Sequence, residues 1–210
     1  MRYNINIDPR LRLQAKTMAE MCALPVHVTF VGDFTEESGK KFRENLEAAE
    51  NLARDAGQEI IPVTIDSYGG ECYALMGMID AIDSCKLTVA TIVESKAMSC
   101  GAFLFSCGAE GHRYVGPNAT VMIHSVAGGA FGKIEEMKTS VAEANRLDEH
   151  LFKRLSKNCG QKDDYFHKEL KERGMADWFL TPEQCVEENL ANSVAIPNIN
   201  VDIIMKTSFG

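Results

Sequence analysis

The sequence lacks the features that mark membrane-spanning, exported and nucleic-acid-binding proteins. It has no run of eighteen apolar residues, which is about the length that a membrane helix needs. No charged stretch followed by an apolar run opens the chain, so we expect no signal peptide. Lysine and arginine are scattered among glutamates, and the formal net charge is −8. This charge pattern argues against binding to nucleic acid.

The seven cysteines contain no CxxC pair, so neither a zinc knuckle nor a redox-active dithiol is indicated. Cys72, Cys85 and Cys107 lie within apolar patterns, where reduced and buried thiols are common. We therefore expect a protein of the cytoplasm, where thiols stay reduced, with no metal and no other cofactor. At 210 residues, without repeats or low-complexity tracts, the chain is long enough for one domain with a sizeable core.

Strand and helix patterns alternate over the first two thirds of the chain, which predicts a parallel sheet layered with helices. Thr35 is the predicted N-cap of a helix that Gly57 ends. Pro62 lies inside an apolar strand pattern and cannot donate to a ladder, so we expect a strand edge or a bulge there. The other elements predicted in this part are strands over 26–31, 59–66, 86–93, 112–115 and 120–124, and helices over 9–22, 74–82 and 99–106.

The composition changes after His124, where a glycine-rich segment begins. Apolar residues then recur at helical spacing from Lys133 to about Lys157, with charges between them, which predicts a long helix. A shorter helix is predicted over 163–173. The residues TPEQ, 181–184, have the pattern of a capping box with proline at the first helical position.

Residues 94–105 read ESKAMSCGAFLF and place two nucleophiles, Ser99 and Cys100, at a predicted strand-to-helix turn. The free N–H groups of a helix N-terminus can stabilise a negative charge that develops at such a turn. Ala97 stands where the G-x-S-x-G pattern of a nucleophile elbow has its first glycine, so that pattern is incomplete. From these residues alone, the segment is either a small-residue packing joint or the nucleophile of an acyl-transfer site.

His124 ends a predicted strand and precedes a loop, so its imidazole could reach the end of a neighbouring strand. The same residues allow a hydrogen-bonded surface histidine with no chemical role. The segment SYGG, 67–70, also allows two interpretations. It is either a turn, or backbone that approaches a ligand closely and presents N–H groups to it.

Taken together, four segments resemble the ClpP family of serine peptidases. They are TIDSYGG, KAMSCGAFLF, VMIHS and DWFLTPEQCVEENLA, they occur in the family's order, and the resemblance extends over about residues 26–196. The family's usual forms are a strand that ends in SPGG, a serine in ASMGA, a histidine in MIHQP and an aspartate in DRFLS. Four matches in one order are far more specific than any single match.

The resemblance implies a role for five residues. Ser99 matches the nucleophile, His124 the general base, and Asp177 the aspartate that orients the imidazole. Gly70 and Cys100 match the two backbone N–H donors of the oxyanion hole, and on this interpretation the side chain of Cys100 is incidental.

The resemblance also implies an α/β fold of the ClpP/crotonase type, with a spiral head domain of repeated β-β-α units and a long protruding handle helix. The predicted division is a divergent N-terminal segment, a catalytic head in two pieces, a handle region and a C-terminal tail, over 1–25, 26–126 with 174–196, 127–173 and 197–210 respectively. The implied function is an ATP-dependent-type serine endopeptidase. Its implied partners are further copies of the chain in a ring or stacked rings, a AAA+ unfoldase ATPase, and unfolded protein or peptide substrates.

The chain departs from the family's pattern at several positions. Tyr68 replaces the proline of SPGG, and Val126 replaces the proline after the histidine. Ala176 and Trp178 flank Asp177 where the family commonly has arginines that take part in contacts between stacked rings. We therefore expect any ring-to-ring contact here to depend on apolar burial through Trp178 rather than on charge pairs. The first residues, MRYNINIDPRLRLQ, do not match the axial-loop segment that meets the ATPase.

Three alternative functions stay open from the sequence. A viral-type peptidase could process a capsid or scaffold without an ATPase, and the atypical N-terminus allows this. A crotonase-like enzyme shares the fold and the oxyanion hole but acts on acyl-CoA without a serine triad. A non-catalytic ring or adaptor subunit is the third. The complete set of Ser99, His124 and Asp177 argues against the last two.

Overall fold

The structure is a computed structural model and describes residues 2–7 and 25–203, so the helix predicted over 9–22 lies outside it. The strands are β1 (Arg2–Ile7), β2 (Val28–Val31), β3 (Ile60–Ser67), β4 (Thr88–Met98), β5 (Arg113–Val115), β6 (Thr120–Ile123), β7 (Trp178–Leu180), β8 (Ser193–Val194) and β9 (Asn198–Ile203). The helices are α1 (Glu36–Asp55), α2 (Cys72–Ser84), α3 (Cys100–Ser106), α4 (Ile134–Asn158), α5 (Tyr165–Glu172) and α6 (Pro182–Glu187). None of these helices is long and apolar enough to cross a membrane within the described ranges.

A seven-stranded sheet forms the centre of the fold, with strand order β2-β3-β4-β5-β8 and with β6 paired to β4 and to β7. All neighbours run parallel except β6 and β7, which are antiparallel. The predicted α/β fold of the ClpP type, with a parallel sheet and helices, is therefore confirmed. At the two ends of the chain, β1 and β9 form a separate parallel pair.

The helix caps follow the local sequence. The Thr35 hydroxyl oxygen accepts a hydrogen bond from the Ser38 N–H at 3.1 Å at the start of α1, as the N-cap prediction requires. At the start of α6, the Thr181 hydroxyl oxygen accepts from the Gln184 N–H at 3.3 Å, and Pro182 occupies the first turn. The predicted capping box is therefore confirmed.

Strand β4 is longer than the sequence pattern predicts and changes its partner along its length. The prediction ended this strand at Val93, whereas the strand continues to Met98. Its middle pairs with β5 over Thr91–Val93, and its last residues pair with β6 over Lys96–Met98. Because β4 and β6 are parallel, their carboxyl ends meet at one edge of the sheet. This edge carries the residues of the candidate site.

Of the strand edge or bulge predicted at Pro62, the structure shows a local edge and no bulge. Strand β3 is an interior strand, and its register shift against β4 occurs between Ile65 and Ser67. Pro62 is paired with Ala90 of β4, but β2 pairs with β3 only from Val63 onward. At Pro62 the strand therefore has a neighbour on one side alone, which is where a residue without an N–H is tolerated.

Helix α4 has an exposed first half and a buried second half. Ile134 and Val141 are 66% and 54% exposed, whereas Leu151 and Leu155 are fully buried. Side chains of the second half and of α5 belong to the same hydrophobic core as the sheet. The predicted division into head and handle regions stays a prediction.

Trp178 is not available for the ring-to-ring contact predicted for it, because its side chain is buried within the protomer. It is only 7% exposed and packs against Phe166, with ring centroids 5.9 Å apart. The Arg173 guanidinium also lies over the Trp178 ring, with its central carbon 4.1 Å from the ring centroid. The neighbouring Phe179, which points the opposite way along the strand, is exposed.

Candidate active site

Ser99 stands at the joint between β4 and α3 with an unusual backbone conformation. Its φ is 53° and its ψ is −121°, values that a residue other than glycine rarely adopts. Such a conformation costs about 1–3 kcal/mol and persists only where the surrounding structure enforces it. Here the Ser99 N–H donates a hydrogen bond to the Met122 carbonyl of β6 at 2.8 Å. The strained turn places the hydroxyl at the open edge of the sheet, as in a nucleophile elbow.

His124 directly follows β6 and lies against Ser99. The pairing of Met98 with Met122 aligns the ends of β4 and β6, so that the next residues of both strands can meet. The His124 Nε2 atom is 2.7 Å from the Ser99 Oγ atom, a hydrogen-bond distance. The imidazole is 23% exposed and is therefore partly shielded from water.

Asp177 reaches the same imidazole from the other side, but at a longer distance. It directly precedes β7, and the pairing of Ile123 with Trp178 brings it beside His124. Its Oδ1 atom is 3.9 Å from His124 Nδ1, which is too long for a hydrogen bond. The carboxylate is 54% exposed. All three residues predicted for a triad thus lie together, and only the first pair is in hydrogen-bonding contact.

The backbone at Gly69 and Gly70 packs so closely against its neighbours that neither position has room for a side chain. Gly69 and Gly70 have φ angles of 108° and 143°, which favour glycine. A Cβ atom at Gly70 would overlap the carbonyl oxygen of Phe34, and one at Gly69 would lie 2.7 Å from the Ser99 Cβ. Hydrogen bonds of 2.8 Å on both sides of Gly70 fix this backbone, from the Phe34 N–H to the Gly69 carbonyl and from the Glu71 N–H to the Phe34 carbonyl.

The N–H groups of Gly70 and Cys100, beside Ser99, donate to no backbone carbonyl within the described part of the chain. The second belongs to the first turn of α3, where helix geometry leaves the N–H unpaired. These are the two donors that the family resemblance predicts for an oxyanion hole.

The Cys100 side chain makes a contact that the sequence-based interpretation did not include. Its sulfur donates a hydrogen bond to the Gly70 carbonyl oxygen at 3.2 Å. This contact links Gly70 and Cys100, the two residues whose N–H groups are the predicted oxyanion donors. The sequence gives no signal for this contact, because the family's usual residue at this position has no thiol.

Tyr68, which replaces the family's proline, is held by a charged neighbour. Lys96 pairs with the Asp66 carboxylate and lies 4.4 Å from the centroid of the Tyr68 ring. The hydrogen bond from Lys96 to Asp66 raises the pKa of that lysine. These contacts join the ends of β3 and β4 next to the glycine pair.

Asp148 of α4 supports the site and was not predicted from the sequence. Its carboxylate is buried, accepts a hydrogen bond from the Val126 N–H at 2.6 Å, and lies 2.9 Å from His167 Nε2. The contact with Val126 anchors the segment that follows His124. An acidic residue between Leu147 and Leu151, on the apolar side of a helix, was the available signal.

A cleft of roughly 340 Å³ opens beside Ser99 and His124. Apart from Ser99, His124, Tyr68 and the thiols of Cys72 and Cys100, its lining is apolar and contains no lysine, arginine, aspartate or glutamate. The residues that line it are Tyr68, Gly70, Cys72, Ser99, Cys100, Phe103, Met122, His124, Val126, Ala127 and Leu151. Its size and lining suit an apolar side chain of a bound substrate.

A serine on a strained strand-to-helix turn, bonded to a histidine beside an apolar cleft, is the arrangement of a serine hydrolase. The family model of the Clp protease matches residues 15–198, and the chain belongs to this family. It is therefore a serine-type endopeptidase, as predicted, and the crotonase-like and non-catalytic alternatives are set aside.

Proposed function

We propose that the protein cleaves peptide bonds through an acyl-enzyme intermediate, with Ser99 as the nucleophile and His124 as its base. The observation that carries this proposal is the 2.7 Å distance between Ser99 Oγ and His124 Nε2. At this distance the imidazole can accept the hydroxyl proton as the oxygen attacks the peptide carbonyl. The imidazolium then gives the proton to the leaving amine, and a water molecule releases the acyl group by the reverse route.

The Gly70 and Cys100 N–H groups stabilise the negative charge on the attacked carbonyl oxygen in this proposal. Their lack of a backbone carbonyl acceptor in the described part of the chain supports this role. Removing one such donor typically costs about 10²–10³-fold in rate. The backbone hydrogen bonds between Phe34 and the residues on either side of Gly70 hold the Gly70 N–H in place before substrate binds.

Asp177 orients the His124 imidazole and stabilises its protonated form during the reaction. This role requires the Asp177 Oδ1 and His124 Nδ1 atoms to approach by about 1 Å from their present separation. Catalytic hydrogen bonds are often longer in a free enzyme than in its substrate complex. The exposed position of the carboxylate gives it room for this movement.

We further propose that several copies of the chain form a ring that encloses these sites, with unfolded proteins or peptides as substrates and a AAA+ ATPase as partner. Membership of the Clp protease family supports this assembly. So does the exposed apolar surface at the start of α4, formed by Phe131, Ile134 and Val141. We expect at least six subunits, and sedimentation analysis of the purified protein measures this number. A monomer at micromolar concentration would contradict the proposal.

The chemical proposal is tested by a fluorophosphonate probe together with hydrolysis of a short fluorogenic peptide. We expect the probe to label Ser99, and the Ser99→Ala variant to lose both the label and the hydrolysis. Ser84→Ala is the matched control, since this exposed serine lies at the end of α2 and donates its hydroxyl to the Asp80 carbonyl. Labelling that persists in Ser99→Ala would overturn the nucleophile assignment. Cleavage of folded proteins without an ATPase would favour the processing peptidase over the ATP-dependent one.

A further inference from the structure

A second nucleophile lines the same cleft and has no part in the proposed reaction. Cys72 is the first residue of α2, is half-buried, and faces the cavity that Ser99 and His124 border. A thiol at this position can contact a molecule that binds in the cleft. The apolar side chains of Phe103 and Leu151 line the same space.

The surroundings of Cys72 favour its ionised form. The neighbouring Cys100 side chain is the main cause that lowers the pKa of Cys72 to about 7, while burial and the Asp148 carboxylate oppose this shift. The neighbouring Cys72 side chain and burial raise the pKa of Cys100, which therefore stays protonated. Position at the first turn of a helix adds a further stabilisation of a thiolate.

The other described cysteines lack this combination. Burial is the main cause that raises the pKa of Cys85, Cys107, Cys159 and Cys185, and none of them lines the cleft. Because the thiolate is the form that attacks disulfides, these four react slowly. Cys72 is thus distinguished both by its place and by its environment.

We propose that Cys72 is a modification site for low-molecular-weight disulfides such as glutathione disulfide, and that the resulting adduct blocks the substrate cleft. The blocking half rests on the proposed function, because it assumes that peptides bind beside Ser99. A tripeptide adduct on Cys72 would occupy much of a cleft of roughly 340 Å³. Modification would therefore act as competition with substrate rather than as damage to the reacting groups.

The exchange balances without any further oxidant. The Cys72 thiolate attacks one sulfur of the disulfide, a new sulfur–sulfur bond forms, and the other half leaves as a thiolate. An added thiol reverses the step by attacking the mixed disulfide and releasing Cys72. Cys100, buried and protonated, stays a thiol throughout.

The test treats the full-length protein with glutathione disulfide and follows two readouts, adduct position by peptide mass mapping and hydrolysis of a fluorogenic peptide. Cys85→Ser is the matched control for Cys72→Ser, because Cys85 caps the other end of the same helix and is also half-buried. Each variant is compared with its own untreated activity, since Cys72 borders the cleft. Dithiothreitol is then added to reverse the exchange.

We expect the adduct to form on Cys72 roughly tenfold or more faster than on Cys85. We expect the activity of the wild type and of Cys85→Ser to fall with the adduct and to return with dithiothreitol, while Cys72→Ser keeps its own untreated activity. Equal inactivation of Cys72→Ser, an adduct that forms first on another cysteine, or a bond between Cys72 and Cys100 would each overturn the proposal. A Cys72 adduct without loss of activity would overturn the blocking half. If the untreated protein hydrolyses no peptide, the proposed function fails, and the adduct rates on the wild type still decide the thiol site.

Discussion

The His124 imidazole has two neighbours that are positioned in different ways. On the Ser99 side, paired strands, a strained turn and the glycine pair fix the atoms, and the contact is 2.7 Å. On the Asp177 side, the carboxylate is 54% exposed and stands 3.9 Å away. We call these the constrained side and the open side of the site.

The difference follows from what surrounds each side. The constrained side is built from β3, β4 and β6, whose backbone bonds leave Ser99 little freedom. The open side depends on the short strand β7 and on the segment anchored by Asp148. We infer that the nucleophile and its base are preformed, whereas the orienting contact is completed when substrate or a neighbouring subunit binds.

The largest effect should come from the constrained side. We expect Ser99→Ala to lower kcat by about a millionfold, as loss of the nucleophile does in another serine peptidase. Hydrolysis of a short peptide at saturating concentration measures this change, with Ser84→Ala as the control. We expect Cys100→Ala to lose less than about tenfold, because it keeps its backbone N–H. If instead Cys100→Ala is inactive and Ser99→Ala is active, the thiol is the nucleophile.

On the open side, Asp177→Asn should lower kcat by about ten-thousandfold, as for the aspartate of another serine triad. The reason is that an amide neither stabilises the protonated imidazole nor favours the reactive tautomer. Asp163→Asn is a suitable control, because this exposed carboxylate pairs with Lys153 at 2.9 Å, away from the site. A loss below tenfold would mean that the 3.9 Å gap persists in the working enzyme and that Asp177 has no orienting role.

The constrained side was also the more predictable side from sequence. Ser99 and His124 each follow an apolar strand pattern, and strands that alternate with helices place their ends at one sheet edge. The glycine pair left a turn and a close approach to a ligand open, and the structure shows a close approach to the Phe34 backbone. Short-range patterns and family motifs were sufficient here because the geometry is set by backbone pairing.

The sequence could not predict features that depend on side chains meeting across the fold. The Cys100 contact with Gly70 and the Asp148 contact with Val126 join residues far apart in the chain. The burial of Trp178 depends on α5 packing over β7, which no local pattern indicates. The strand edge expected at Pro62 is present, but which neighbour is missing there depends on where β2 begins, and the pattern of β3 alone does not show this.

A smaller effect should come from crowding an oxyanion donor on the constrained side. We expect Gly70→Ala to lower kcat by about 10²–10³-fold, because the new Cβ overlaps the Phe34 carbonyl and displaces the N–H. Gly111→Ala is the matched control, since Gly111 also has a positive φ of 81° but no atom within 4 Å of its added Cβ. The comparison separates backbone strain from displacement of the donor. Equal losses in both variants would show that strain alone explains the effect.

The smallest expected effect concerns the anchor of the open side. Asp148→Ala removes the acceptor of the Val126 N–H and the partner of His167, which leaves buried polar groups unpaired. We expect the free energy of unfolding to fall by about 1–3 kcal/mol, as measured by urea denaturation. We also expect KM to rise more than kcat falls, because Val126 lines the cleft while Ser99 and His124 keep their own contacts. Glu149→Ala, the exposed neighbour on α4, should change neither quantity. A loss confined to kcat would mean that Asp148 acts on the reacting groups, and that the constrained side extends further into α4 than the hydrogen bonds indicate.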